Sequence, residues 1–306
     1  MWVIFSILAA LCWAIVNIVD KYILTKWVRQ PIILVIILAI IGLIASIIVY
    51  FIYGFSYLSY FNIILAFIAG IFYILMVIFY FRAVKIEEVS RVIPLFFLSP
   101  LFILIFAGIF LGEVFILSQY LGIILLMVGA ILISSKGLSR ISLGKAFWWM
   151  MLSVIAISIN ALLTKYLLNF ADYWTIFAWT RIGAAIGIIP ITYIYLPELI
   201  NTVKQYGKKV VAVISANETL NLFGILSVTI AVSIGDVTLV NALSSVQPFF
   251  FIIIRRNIKH ILPIDTQERN WKICYFSETF SYYLNVHRCN FNNLKIMHGK
   301  NFNLRV

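Results

Sequence analysis

Long apolar runs, separated by short stretches of charged and turn residues, dominate this 306-residue chain. They fall at about 2–24, 32–53, 61–81, 91–111 and 118–135, then at about 146–168, 174–196, 210–232 and 236–254. Each is close to the roughly 20 residues that an α-helix needs to cross a bilayer. Backbone polar groups in lipid must be satisfied within the protein, so the pattern predicts nine spanning helices. The run that opens at Met1 has no positively charged leader and reads as the first of them, not as a cleaved signal.

Polar residues near the ends of the runs repeat. Asn17 followed by Asp20-Lys21-Tyr22 closes the first run, and Asn160 followed by Thr164-Lys165-Tyr166 closes the sixth. Ala83-Val84, Val89-Ser90 and Pro100 return at constant spacing as Ala231-Val232, Val237-Thr238 and Pro248. An internal repeat of this kind is how many carriers are built.

Loop charge relates the two copies. Lys21, Lys26 and Arg29 follow the first run, whereas its counterpart keeps only Lys165. Arg82, Lys85 and Arg91 flank the end of the third run, while the equivalent stretch near Gly235 has no Lys or Arg. Conversely, the loop at Gly54 is uncharged and its counterpart carries Lys204, Lys208 and Lys209. Positive charge prefers the cytoplasm, so equivalent loops lie on opposite sides, as an odd number of helices per half requires. With Lys136, Arg140 and Lys145, nearly all loop cations collect on one side, which places the N-terminus outside. The expected fold is therefore an all-α integral membrane protein with an inverted repeat of two five-helix halves. Residues 1–140 form the first half, 141–254 an incomplete second half of four helices, and 255–306 a basic tail that does not span.

Composition narrows the function. The chain is 64% hydrophobic and 11% charged, with a mean hydropathy of +1.08, too little charge to cover a soluble domain. The net charge of +12 sits in loops and tail, so membrane orientation explains it without a nucleic-acid partner. Cys12, Cys274 and Cys289 have no metal-like spacing, and His260, His287 and His298 all lie in the tail. No cofactor or metal is expected. No G-x-x-x-x-G-K-[ST] loop is present, so ATP is not expected to drive the protein directly. A membrane enzyme acting on lipid-linked substrates would need acids or histidines clustered near one face, and the sequence shows no such cluster.

The segment Leu111-Gly112-Glu113, Gln119-Tyr120-Leu121-Gly122 and Gly129-Ala130-Ile131-Leu132 resembles the close of an EamA-type half in the drug/metabolite transporter superfamily. Trp13 to Lys21 and Ile157 to Lys165 are similar to the openings of such halves. Leu98-Ser99-Pro100 and Val246-Gln247-Pro248 are similar to their fourth helices. The resemblance covers residues 1 to about 250. It implies a ten-helix inner-membrane carrier with a central cavity, moving small polar or amphipathic metabolites by alternating access. Described relatives keep both termini in the cytoplasm, whereas the loop charges here point the other way. The sequence also departs from the family beyond Pro248, where Arg255-Arg256 interrupts the run and no helix-length apolar stretch follows. Two readings of the tail remain, a genuine basic extension or an end altered by truncation or a reading-frame shift. The second makes the chain a non-transporting fragment, and translation of the gene's other frames separates the two.

Polar groups at mid-membrane depth are costly and therefore informative. Glu218, about eight residues into its run, is expected to contact substrate or exchange a proton, unless its helix begins later and leaves it at the interface. Asn221 shares its face, and Asn217 lies one turn below Asn221. Arg181 either pairs with Glu218, grips an anionic substrate, or snorkels to the interface. Trp13 and Asn17 share one face of the first helix, with Asn160 in the equivalent place of the sixth. They line a cavity or bond neighbouring helices. Tyr73 aligns with Asn221 in the repeat. Pro100 and Pro248 inside their helices suggest kinks that act as gates. Glu87, Glu88, Glu113, Asp172 and Glu198 are expected to be solvated helix ends. Gly42, Gly70, Gly122, Gly183 and Gly187 are expected to mark close helix packing. The partners implied are a lipid bilayer, a small-molecule substrate and protons.

Overall fold

The computed structural model describes residues 1–28, 30–86, 95–134 and 144–258, and no strand occurs among them. Helices α1 (Trp2–Lys26), α2 (Ile32–Tyr53), α3 (Tyr60–Ile86), α4 (Ser99–Phe110) and α5 (Leu117–Ser134) precede α6 (Lys145–Leu167) and α7 (Tyr173–Ile234). Two short helices follow, α8 (Val237–Ser244) and α9 (Gln247–Ile258). Readings that concern Arg29, Glu87, Glu88, Arg91, Lys136, Arg140 and the tail beyond 258 lie outside the described residues.

Among the described residues the nine apolar runs are largely helical, but three boundaries differ from expectation. The runs 174–196 and 210–232 belong to one element, α7, interrupted only at Gly207 with φ 71° and ψ −170°. The expected loop carrying Lys204 is helical, because Glu198, Leu199, Lys204 and Gln205 are good helix formers and no glycine intervenes before 207. A positive φ then turns the chain where only glycine does so at little cost. The first arm of α7, 173–206, is about 50 Å long at 1.5 Å per residue, well over the roughly 30 Å of hydrocarbon.

The second difference concerns the prolines. The run 91–111 is turned at 97–98 and the run 236–254 at 245–246, each just ahead of a proline. Pro100 and Pro248 thus occupy the first turns of α4 and α9, not the middle of a continuous helix. There a proline sacrifices no helical hydrogen bond, so the expected kink is replaced by a turn. Third, α9 continues to Ile258, past the arginines at which the apolar run ends.

Among the described residues, α1, α2, α3, α6 and α7 are long and apolar enough to cross a membrane. The segments Ser99–Phe110, Leu117–Gly129 and Val237–Phe251 are apolar but shorter. Ile40, Ile44, Ile47, Ile48 and Phe51 leave one face of α2 exposed and wholly apolar, as a lipid-facing helix requires.

Two antiparallel seams organise the bundle. Along α1 and the second arm of α7 (208–234), Trp2 lies beside Gly235, Trp13 beside Gly224, and Ile23 packs with Val210 and Ile214. Along α3 and α6, Ala66 packs near Leu167, Ser153 Oγ donates to the Met76 carbonyl at 2.8 Å, and Ala83 meets Met150. The first arm of α7 is joined to α2 by Ser46 Oγ, which donates to the Ala178 carbonyl at 3.1 Å.

That first arm also crosses α3 with backbones nearly touching. A Cβ on Gly70 would sit 2.3 Å from the Thr180 carbonyl oxygen, and one on Gly183 would sit 2.5 Å from Phe67 Cα. These two glycines match the expected close packing. Gly122 does not, since a Cβ there meets nothing within 4 Å. Its helix, α5, packs mainly against α8 and α9. Gly183→Val should therefore destabilise the purified protein by about 1–3 kcal/mol through overpacking, with Gly122→Val within about 0.5 kcal/mol of the parent. Thermal unfolding in detergent tests this, and equal melting of the two variants would contradict the crossing.

Candidate functional site

The α1–α7 seam carries a run of hydrogen bonds between side chains, both across the seam and within α7. Trp13 and Asp20, seven residues apart, fall on one face of α1. The second arm of α7 opposes them with Asn217, Glu218, Asn221 and Gly224. The lack of a side chain at Gly224 admits the Trp13 indole, whose Nε1 would lie 2.8 Å from a Cβ there. Trp13 Nε1 donates to Asn221 Oδ1 at 3.2 Å, and Asn221 Nδ2 donates to Glu218 Oε2 at 3.1 Å. Asn217 Nδ2 donates to Asp20 Oδ1 at 2.6 Å. Glu218 and Asn217 are each only 3% exposed. The Asp20 and Glu218 carboxyl groups are close enough to feel each other's charge. Asn217 Oδ1 is buried with no hydrogen-bond partner among the described residues.

A second group lies on the other face of the same region. Arg181, on the first arm of α7, is 4% exposed. Its Cζ lies 4.5 Å from the centroid of the Tyr73 ring on α3, and its stem runs over Gly42 on α2, with Cδ 3.4 Å from where a Cβ would be. It neither pairs with Glu218 nor reaches an interface. Tyr73 is within electrostatic range of Arg181, Glu218 and Asp20, and so links the two groups.

Five of the seven expected binding residues, Trp13, Tyr73, Arg181, Glu218 and Asn221, thus come together. Asn17 and Asn160 do not join them. Asn17 is exposed, while Asn160 Nδ2 donates to the Ala69 carbonyl at 2.8 Å and ties α6 to α3. Their expected equivalence fails on register. Lys21 and Lys165 are 144 residues apart but Asn17 and Asn160 are 143, and one residue turns a helix by about 100°. Asp20 was legible only as part of the repeat. Its place two turns beyond Trp13 was the signal for its inclusion.

Two carboxylates expected at solvated ends, and the loop cation Lys165, serve as helix caps. Glu113, in the link after α4, accepts from the Val237 amide at 2.9 Å, the Thr238 amide at 3.4 Å and Thr238 Oγ1 at 2.8 Å, at the N-terminus of α8. Lys165 Nζ donates to the carbonyls of Val232 at 2.9 Å and Gly235 at 2.7 Å, at the C-terminus of α7. A cation at the carbonyl end and an anion at the amide end both complement the helix dipoles, so the Gly235-Asp236 junction is clamped from two sides. Asp172 caps the start of α7, accepting from the Trp174 amide at 2.9 Å and the Thr175 amide at 3.1 Å, and also from Ser56 Oγ. Glu198, by contrast, is exposed as expected.

Residues 1–135 match the model of the EamA-like transporter family. No curated protein matches the sequence. A protein of known crystal structure superposes with a TM-score of 0.67 at 17% identity, over 83% of this chain and 86% of its own, and shares the fold.

The caps carry a pH signature. Partial burial of Asp172 pushes its pKa up, but the hydrogen bonds from Ser56, Thr175 and Trp174 outweigh this and hold the carboxyl below its ordinary range. Stability from such a group is present above the unfolded value near 4 and is lost as pH falls through the lower folded value. Asp172→Ala should cost about 1 kcal/mol at neutral pH. The gap to the parent protein should close only below about pH 4. Melting curves across pH 3–7 check both, and a gap already closed at pH 6 would contradict the assignment.

Proposed function

We propose that this chain, whose residues 1–135 match the EamA-like transporter family, is a membrane carrier that moves a small polar or amphipathic metabolite by alternating access between two inverted halves. The observation that carries this reading is the pair of carboxyl groups, Asp20 and Glu218, held among amides inside an otherwise apolar bundle. Such groups are costly in a membrane interior and mark substrate or proton pathways.

The two seams support the inverted arrangement. The first helix of the first half, α1, runs antiparallel to the second arm of α7, and α6 runs antiparallel to α3. Each seam joins the opening helix of one half to the third helix of the other. The contacts correspond on one side, since Asn217 on one seam and Ala69 on the other are at the repeat spacing, while Asn160 lies one turn before the residue that matches Asp20. Residues 1–140 would then be one half and 141–254 the other, with binding residues Trp13, Tyr73, Arg181, Glu218 and Asn221 between them. The turns ahead of Pro100 and Pro248 fall at matched places, which suits a role as hinges better than one as kinked gates. Neither rival reading, fragment or lipid-acting enzyme, gains support from the family match.

Proton coupling would run through the α1–α7 seam. A carboxyl group accepts hydrogen bonds as an anion and donates one when protonated, so a change of proton at Glu218 must rearrange Asn221 and, through it, Trp13. The groups facing Glu218 are Asp20 from α1, Tyr73 from α3, and Asn217 and Asn221 from its own helix. Glu218→Gln keeps the shape and removes the exchangeable proton. Vesicles holding the full chain, tested with a panel of labelled small polar metabolites, should accumulate at least one under a pH gradient. The variant should lose at least about tenfold of that rate and keep exchange without a gradient. No uptake above empty vesicles would end the carrier reading, and gradient-driven uptake unchanged in the variant would end the proton role of Glu218.

A further inference from the structure

Arg181 is charged at any accessible pH, carries five N–H donors and has no acceptor of its own. It lies almost wholly inside the bundle, and its Nε has no partner among the described residues. It stacks on the Tyr73 ring, is hydrogen-bonded to the Tyr73 side chain, and passes the backbone edge at Gly42. A buried cation is normally neutralised by a carboxylate, and this protein has two in the same region. Both are committed elsewhere: Asp20 accepts from Asn217 and Glu218 from Asn221. Burial of an unneutralised guanidinium works against stability, so packing alone does not account for it.

The surroundings hold the head group in place. Gly42 leaves room for the stem to cross α2, and Tyr73 supports the guanidinium plane from α3. A planar fork held by its stem, with its Nε donor unspent, matches a carboxylate-sized anion. The carboxyl groups of Asp20 and Glu218, within electrostatic range of Tyr73, would when ionised repel a second negative charge and attract a positive one.

We propose that Arg181 is the receptor for an anionic group of the substrate, carboxylate in size and shape, and that the substrate's opposite end, facing Asp20 and Glu218, is neutral or cationic. This rests on the carrier reading for the word substrate, but binding is measured without transport.

The test uses the purified full-length protein in detergent, with melting temperature as readout. The probes are acetate, benzoate and 4-aminobutanoate, each beside its primary amide, at matched ionic strength. At least one carboxylate should raise the melting temperature of the parent protein by about 2 °C or more, and its amide should not. Arg181→Met and Arg181→Gln should both lose that shift. Arg181→Met without ligand should melt at or above the parent, because an apolar side chain of similar length removes an uncompensated charge. No shift in the parent, an equal shift with the amide, or a shift surviving in both variants overturns the proposal. So does an unliganded Arg181→Met that melts lower or fails to fold, which would make the stacking on Tyr73 structural. Binding intact with no transport in vesicles counts against the carrier reading alone, and transport with no Arg181-dependent binding counts against the anion receptor alone.

Discussion

Polar groups inside lipid have no water to turn to, and this constraint shapes each part of the protein that is not simply apolar. It favours helix in the apolar runs, and it drives interior polar side chains to find partners, some on their own helix and some on another. Ser46 finds the Ala178 carbonyl, Ser153 the Met76 carbonyl, and Asn160 the Ala69 carbonyl. These bonds pin α2, α3 and α6 to their neighbours at fixed register. The groups left incompletely satisfied, Arg181 Nε and Asn217 Oδ1, stand out against that background.

Register then decides what the seams can do. Where α3 crosses α7, Gly70 and Gly183 bring the backbones together, and the crossing has no room for a ligand. Where α1 meets the second arm of α7, Gly224 accepts an indole instead, and the adjoining turns carry Asp20, Asn217, Glu218 and Asn221. One seam is thus a dry, close contact and the other a polar one. A carrier requires that combination, rigid contacts within moving parts and exchangeable hydrogen bonds at the site.

The ends of the helices are held by charge. Lys165 and Glu113 come from different helices to grip the two sides of the Gly235-Asp236 junction. Asp172 does the same for the start of α7 with help from Ser56. All of these lie at the end of the bundle that α1 enters from, where Trp2 also packs on Gly235. Helix dipoles supply the attraction, and the links that carry the caps are short, so this end is tightly tied.

The sequence by itself determined that the chain is helical and made for lipid, because hydrophobic length and the cost of bare backbone polar groups act locally. It also pointed to Glu218, Asn221, Trp13 and Arg181, since a charge or amide within an apolar run is visible without any structure. Only the tertiary structure decided which of these meet. Asn17 and Asn160 looked equivalent, yet one residue of register put them on different faces. Asp20 looked like a helix end and became a partner of Asn217. Arg181 had three possible fates, and the structure neither pairs it with Glu218 nor exposes it. Glu113 looked like a solvated end and Lys165 like a loop cation because their partners lie 124 and 70 residues away along the chain. Contacts at such separations depend on how helices cross, and periodicity along one helix carries no information about its neighbour's rotation.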